Sequence, residues 1–210
     1  MHIRSEKGLT LVEVIVAIAI MGIIMIPITL VFTTAYTNFT KESDKVAAQQ
    51  AARDVLYGKG INSYGVMGDL ERSDATSADI ILDGIISDSA SPDFNKYRSI
   101  KIKSHITDAN NIDVTSDVDH TYSFDGSTLK YEVSNPSSSG DYFNGQKSSN
   151  GHDVEVKRFT AEKVENLKDP ATDTDRKTET ELIKITVTVT CGQSGDITLG
   201  SSYRIPNIEK

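Results

Sequence analysis

The amino-acid sequence predicts an α+β protein in which one long N-terminal helix packs on an antiparallel β-sheet. Three observations carry that prediction. Residues 9–32 are almost wholly apolar, and no charged residue occurs from Val14 through Thr40, which describes a helix long enough to cross a bilayer. Residues 41–57 are rich in good helix formers and continue that helix beyond the apolar run. After about Asn95, apolar residues recur at every second position between turn-forming Gly, Asn, Asp and Ser, as in strands with one buried face.

The 210 residues suit one globular domain plus an extra segment, and a chain this long encloses a real core. A net charge of -8 makes the surface as a whole repel nucleic acid, so no nucleic-acid partner is expected. Lys96, Arg98, Lys101 and Lys103, and then Lys157, Arg158 and Lys163, are the only groupings of basic residues. Their alternation is that of the solvated face of a strand. The single cysteine, Cys191, excludes an intrachain disulfide and any CxxC motif. It ends an apolar strand pattern just before Gly192, where a small buried residue is expected.

As a helix, Leu9 to Phe32 is roughly 36 Å long against a hydrocarbon core of about 30 Å. Ahead of it lie Met1 to Gly8, with Arg4 and Lys7 against Glu6, and positive charge there holds this end in the cytoplasm. A conventional secretory signal has an apolar region of only about 7 to 15 residues. Thr33 and Ala35 still offer small residues beyond the run, so two readings compete. One gives a mature chain starting at Leu9, the other at Tyr36.

Glu13 is the one carboxylate inside this span. Such a group costs roughly 2.5 to 3.5 kcal/mol at mid-bilayer and less near the interface, where its place about 6 Å from Leu9 puts it. Thr10 and Glu13 have the spacing of a capping box, which accounts for an acid in a first helical turn but not for its neighbours. Those neighbours, Lys7-Gly8-Leu9-Thr10-Leu11-Val12-Glu13-Val14, resemble the class III signal of type IV prepilins and type II secretion pseudopilins. The resemblance covers roughly the first 35 positions. It implies cleavage between Gly8 and Leu9 by a prepilin peptidase and methylation of the new Leu9 amine, with Leu9 standing where phenylalanine is usual. It also implies pairing of Glu13 with the Leu9 amine of an adjacent subunit, and a kinked or melting stretch between Gly22 and Pro27. Proline removes one backbone donor there, so a plain transmembrane kink is an equal expectation.

The resemblance therefore implies a leader at 1–8, a transmembrane and filament-core helix at 9–35, and an extracellular pilin headgroup at 36–210. Its partners would be the peptidase, other pilin subunits, an inner-membrane assembly platform and, before assembly, the membrane. Beyond the membrane, Val46, Ala47, Ala51 and Val55 form an apolar stripe at helical spacing, and Gly58, Gly60 and Gly65 end the helix at about residue 57. The stretch from Gly58 to Asn95 offers only a short strand or helix around Ile80 to Ile86. Ile100, Ile102 and Ile106 suggest one strand; Tyr122 and Phe124, then Asp125-Gly126, then Leu129, Tyr131 and Val133 suggest a hairpin. Residues 135–151 read as a loop, Val154 to Phe159 as a strand, residues 166–180 as a charged insertion, Ile183 to Val189 as a strand and Ile197 to Ile205 as the last. This order of elements is similar to the J/W type of minor pilins.

No hydrolase, metalloprotease, phosphate-binding or dinucleotide-binding motif occurs, so neither an enzyme nor a cofactor is expected. His105, His120 and His152 are scattered. Asp113, Asp117, Asp119 and His120, and Asp169, Asp173 and Asp175, lack ligand spacing and read as solvated loops, with no metal expected. The function expected is that of a structural minor pilin. The competing classes are an adhesive module displayed on the filament through 135–151 and 166–180, and a minor pseudopilin of a secretion or DNA-uptake system.

Overall fold

The computed structural model describes residues 10–58, 65–73, 79–104, 118–134, 137–141, 146–164 and 181–205. The chain divides into two compact units, Met1–Glu42 and Ser43–Lys210. Helix α1 runs over Leu11–Tyr57 and so contributes to both.

In the first unit α1 is the only described element. Its residues from Leu11 to Phe39 are all exposed, from Leu11 at 78% to Phe39 at 70%, as befits a surface made for lipid or for other helices rather than for a core of its own. The helix is wound through Gly22 and Pro27 without interruption. Pro27 withholds a backbone donor from Ile23. Two residues on, the Thr29 hydroxyl donates to the Met25 carbonyl at 2.8 Å.

In the second unit α1 turns Ala48, Ala51, Ala52, Val55 and Leu56 inward, all essentially unexposed. Val46, placed by the sequence in the apolar stripe, is instead 62% exposed. The buried face starts instead at Asp44, two residues earlier and nearly opposite Val46 on the helix, where polar partners from distant loops cover the side chain. The helix ends at Gly58, whose φ of 86° suits glycine and whose N–H bonds the Asp54 carbonyl at 2.8 Å. Gly65 does not belong to that ending. It opens a second helix, α2 (Gly65–Arg72), at φ 61°, where an added Cβ would lie 2.4 Å from the Gly58 nitrogen. Gly60 and Ile106 lie outside the described residues.

Eight strands follow: β1 (Ile80–Ile85), β2 (Tyr97–Ser104), β3 (Val118–Phe124), β4 (Leu129–Ser134), β5 (Ser137–Asp141), β6 (Val154–Val164), β7 (Leu182–Cys191) and β8 (Ile197–Arg204). They form one antiparallel sheet ordered β5-β4-β3-β2-β6-β7-β8, with β1 also paired to β2. The helix and sheet make the α+β arrangement of the pilin fold. Period-two alternation sets the buried face, clearest in β7, where Ile183, Ile185, Val187, Val189 and Cys191 point into the core. Strand β6 breaks that alternation at a bulge between Val156 and Arg158. Val154 and Val156 are buried before it, Phe159 and Ala161 after it, and the extra residue restores the apolar face. It therefore reaches Val164 rather than stopping at Phe159. The predicted β3–β4 hairpin forms around Asp125-Gly126: the Asp125 carboxylate accepts the Ser127 and Thr128 N–H groups at 2.9 Å each, and Gly126 takes φ 105°.

The loop expected over 135–151 contains β5, which corrects that reading. β5 is serine-rich and carries no apolar signal, but it pairs with β4 in antiparallel register at the edge of the sheet. The insertion at 166–180 lies outside the described residues.

Candidate functional site

The N-terminal turn of α1 is fixed by Thr10 and Glu13. The Thr10 N–H and hydroxyl both donate to Glu13 Oε2, at 2.9 and 3.0 Å, and the Glu13 N–H donates to Thr10 Oγ1 at 3.3 Å. This is a complete capping box, which nucleates the helix at the head of the apolar span. It occupies one carboxylate oxygen, while Oε1 takes no hydrogen bond from the described residues. Gly8 and Leu9 lie outside the described residues. Residues 3–29 match the family model of the prokaryotic N-terminal methylation motif. The chain carries a prepilin-type N-terminal signal. The matched residues include Glu13, Gly22 and Pro27 and end within α1, ahead of the second unit. Such a signal supports a type IV pilin-like precursor that is processed by a prepilin peptidase. The apolar helix behind it fits membrane anchoring before assembly. No curated protein and no solved structure matches the chain.

Behind the signal, the second unit holds three polar clusters that the sequence did not disclose. Asp44, wholly buried on α1, accepts hydrogen bonds from Ser148 Oγ at 3.0 Å, Asn150 Nδ2 at 3.4 Å, the Gln193 N–H at 3.1 Å and His152 Nδ1 at 2.9 Å. Burial pushes its carboxyl up, but His152 and the other donors together hold it below the ordinary carboxylate value. Its cover is a thin polar layer, since His152 itself is 41% exposed. Gly192 completes the contact: at φ 49°, a Cβ there would stand 2.4 Å from His152 Nδ1 and 2.5 Å from Asp44 Oδ2. Asp44 thereby ties α1 to the segment before β6 and to the β7–β8 turn.

The second cluster pins α2 to the sheet. Tyr122 Oη donates to Asp69 Oδ2 at 2.7 Å, and His120 Nδ1 lies 2.8 Å from the Tyr131 hydroxyl and 3.4 Å from Asp69. Burial raises the Asp69 carboxyl above its ordinary value against the pull of Tyr122, His120 and Arg72. Burial and the Asp69 charge push the Tyr131 phenol up to about 12. In the third cluster, Arg158 and Lys96 pair with Asp93, overcoming its burial and lowering its carboxyl.

These pairings absorb much of the basic residue set. Lys101 pairs with Asp119, Lys157 with Glu155 and Lys163 with Glu181. His120 and His152, read as scattered, each face a buried aspartate, while His105, Asp113, Asp117, Asp169, Asp173 and Asp175 lie outside the described residues. Among the described residues, no group of three or more His, Cys, Asp and Glu side chains is placed to hold a metal ion. Cys191 is buried, and burial raises its thiol.

Proposed function

We propose that this chain is a structural subunit, a minor pilin of the J/W type, in a type IV pilus-like filament. The carrying observation is the helix from Leu11 to Phe39, largely apolar and exposed along its length, headed by one carboxylate inside a matched methylation signal. In this reading the leader 1–8 is cut between Gly8 and Leu9, and the Leu9 amine is methylated. Residues 9–35 hold the precursor in the cytoplasmic membrane with its N-terminus inside, and residues 36–210 lie outside. The stretch between Gly22 and Pro27, wound in this structure, unwinds or kinks on leaving the membrane, because Gly22 has no stabilising side chain and Pro27 omits a hydrogen bond. An assembly platform of the inner membrane then packs the helix among those of other subunits.

Glu13 supplies the register. Cleavage creates an ammonium with a reference pKa near 8, and burying it unpaired in a helix bundle is costly. At about 4 Å and an effective dielectric near 20 its attraction to Glu13 is on the order of 4 kcal/mol before desolvation. The capping box can persist beside that pair, with Oε2 on Thr10 and Oε1 receiving the amine of a neighbour. The test is Glu13→Ala in cells that assemble filaments. The variant should be cleaved normally and be depleted at least tenfold in sheared filaments; normal incorporation removes the pairing role.

A further inference from the structure

We propose that Phe32, Tyr36 and Phe39 form an aromatic anchor that holds α1 at the outer face of the membrane while Glu13 lies at the inner face, so setting the depth of the precursor. This rests on the membrane-held reading above and adds the lipid interface as the partner of a particular stripe.

Spaced by four and three residues on a continuous helix, the three rings share one face, and they are exposed by 71, 74 and 70%. Charge alone does not fix the helix's depth. The uncharged stretch from Val14 through Thr40 would extend about 40 Å, some 10 Å more than a hydrocarbon core of about 30 Å. Nor do the threonine hydroxyls in that stretch hold it in water. Thr33 and Thr34 donate to the Leu30 carbonyl at 3.0 and 2.8 Å, Thr37 to Thr33 at 2.8 Å and Thr40 to Tyr36 at 3.0 Å, so each donor is satisfied within the helix. A span like this slides unless something marks its outer end. Aromatic rings do so, because they favour the boundary between acyl chains and headgroups.

The spacing fits. Phe32 lies nineteen positions after Glu13, about 28 Å of helix, close to one hydrocarbon thickness. With Phe32 at the outer boundary, Glu13 reaches the inner one and escapes the mid-bilayer penalty. Tyr36 and Phe39 then stand about 6 and 10 Å farther out among the headgroups, and Lys41 and Glu42 are in water.

The chain contains no tryptophan, so single tryptophans report depth cleanly. Full-length I23W, F32W and F39W are each placed in phosphatidylcholine vesicles carrying brominated acyl chains with shallow or deep bromines. I23W should be quenched mainly by deep bromines and the other two mainly by shallow ones, with F39W the shallower. Replacing Tyr36 and Phe39 with alanine in I23W should shift its quenching toward shallow bromines, as residues 33–40 slip into the core and Ile23 moves to the inner leaflet. Deep quenching of F39W equal to that of I23W, lipid-inaccessible F32W and F39W beside a deep I23W, or an unmoved I23W in the alanine background would each overturn the anchor alone. An I23W that no lipid quencher reaches would remove the membrane-held reading and the anchor with it.

Discussion

Removing the Asp44 carboxylate should destabilise the second unit far more than a typical substitution on a helix. Asp44→Ala leaves Ser148, His152 and the Gln193 N–H, which lie 2.9 to 3.1 Å from the carboxylate, without their acceptor. A hydrogen bond to a charged group contributes about 1.5 to 3 kcal/mol, and such bonds within one network do not add. Breaking a buried pair typically costs about 3 to 5 kcal/mol, and the partial exposure of His152 favours the low end. About 3 kcal/mol is a large part of a net stability of about 5 to 15, and at about 2 to 4 °C per kcal/mol it lowers Tm by about 6 to 12 °C. Near-UV circular dichroism of the full chain in detergent, melted alongside wild type, reads this directly. The sign of the pH dependence follows from the lowered carboxyl. Asp44 adds stability above its unfolded pKa near 3.9, and that contribution disappears as pH falls through the still lower folded value. Asp44→Asn should therefore differ from wild type most at neutral pH and converge on it below about pH 4. An Asp44→Ala protein melting within about 2 °C of wild type at pH 7 would refute the hub.

Gly192→Ala should lower Tm by about 2 to 12 °C, because a positive φ and a Cβ within 2.5 Å of two partners strain the turn by about 1 to 3 kcal/mol. Combined with Asp44→Ala the two losses should be less than additive in thermal melts, since they disrupt the same contact. Tyr122→Phe removes the hydroxyl on Asp69 and should cost about 1 to 3 kcal/mol in urea unfolding. Asp69 acts opposite in sign to Asp44. Its carboxyl is raised, so its contribution is fully present below the unfolded value and is lost as pH rises through the folded one. Asp69→Asn should accordingly lose less stability at pH 7 than Asp44→Asn, by the same melts. Ultraviolet titration of the phenols should find Tyr131 ionising only near pH 12; Asp69→Asn should lower that value in part, the share due to burial remaining.

Much of the architecture was legible because it rests on local rules. The apolar run, the Thr10–Glu13 cap, the stop at Gly58, the Asp125-Gly126 turn and the alternation of β7 each follow from neighbouring residues. What escaped depends on contacts far along the chain. Val46 looked like a core residue because valine is apolar, but Asp44 is the side chain turned inward, through donors more than a hundred residues away. β5 has no apolar pattern and exists because β4 offers an open edge. Helix α2 is only eight residues long and carries charge, so periodicity had little to act on. The bulge in β6 disguised its second half by shifting the alternation by one position. At the N-terminus the signal was readable because its motif lies in consecutive residues. The Asp44 and Asp69 clusters became visible only in the folded unit, although a lone histidine on a strand or turn was a cue to look for a buried acid.

Intact mass combined with N-terminal sequencing of the subunit from sheared filaments tests the central claim most directly. A chain beginning at Leu9 with a methylated amine is the predicted result. A chain in those filaments that keeps Met1, or one that begins at Tyr36 with the apolar helix gone, would contradict it.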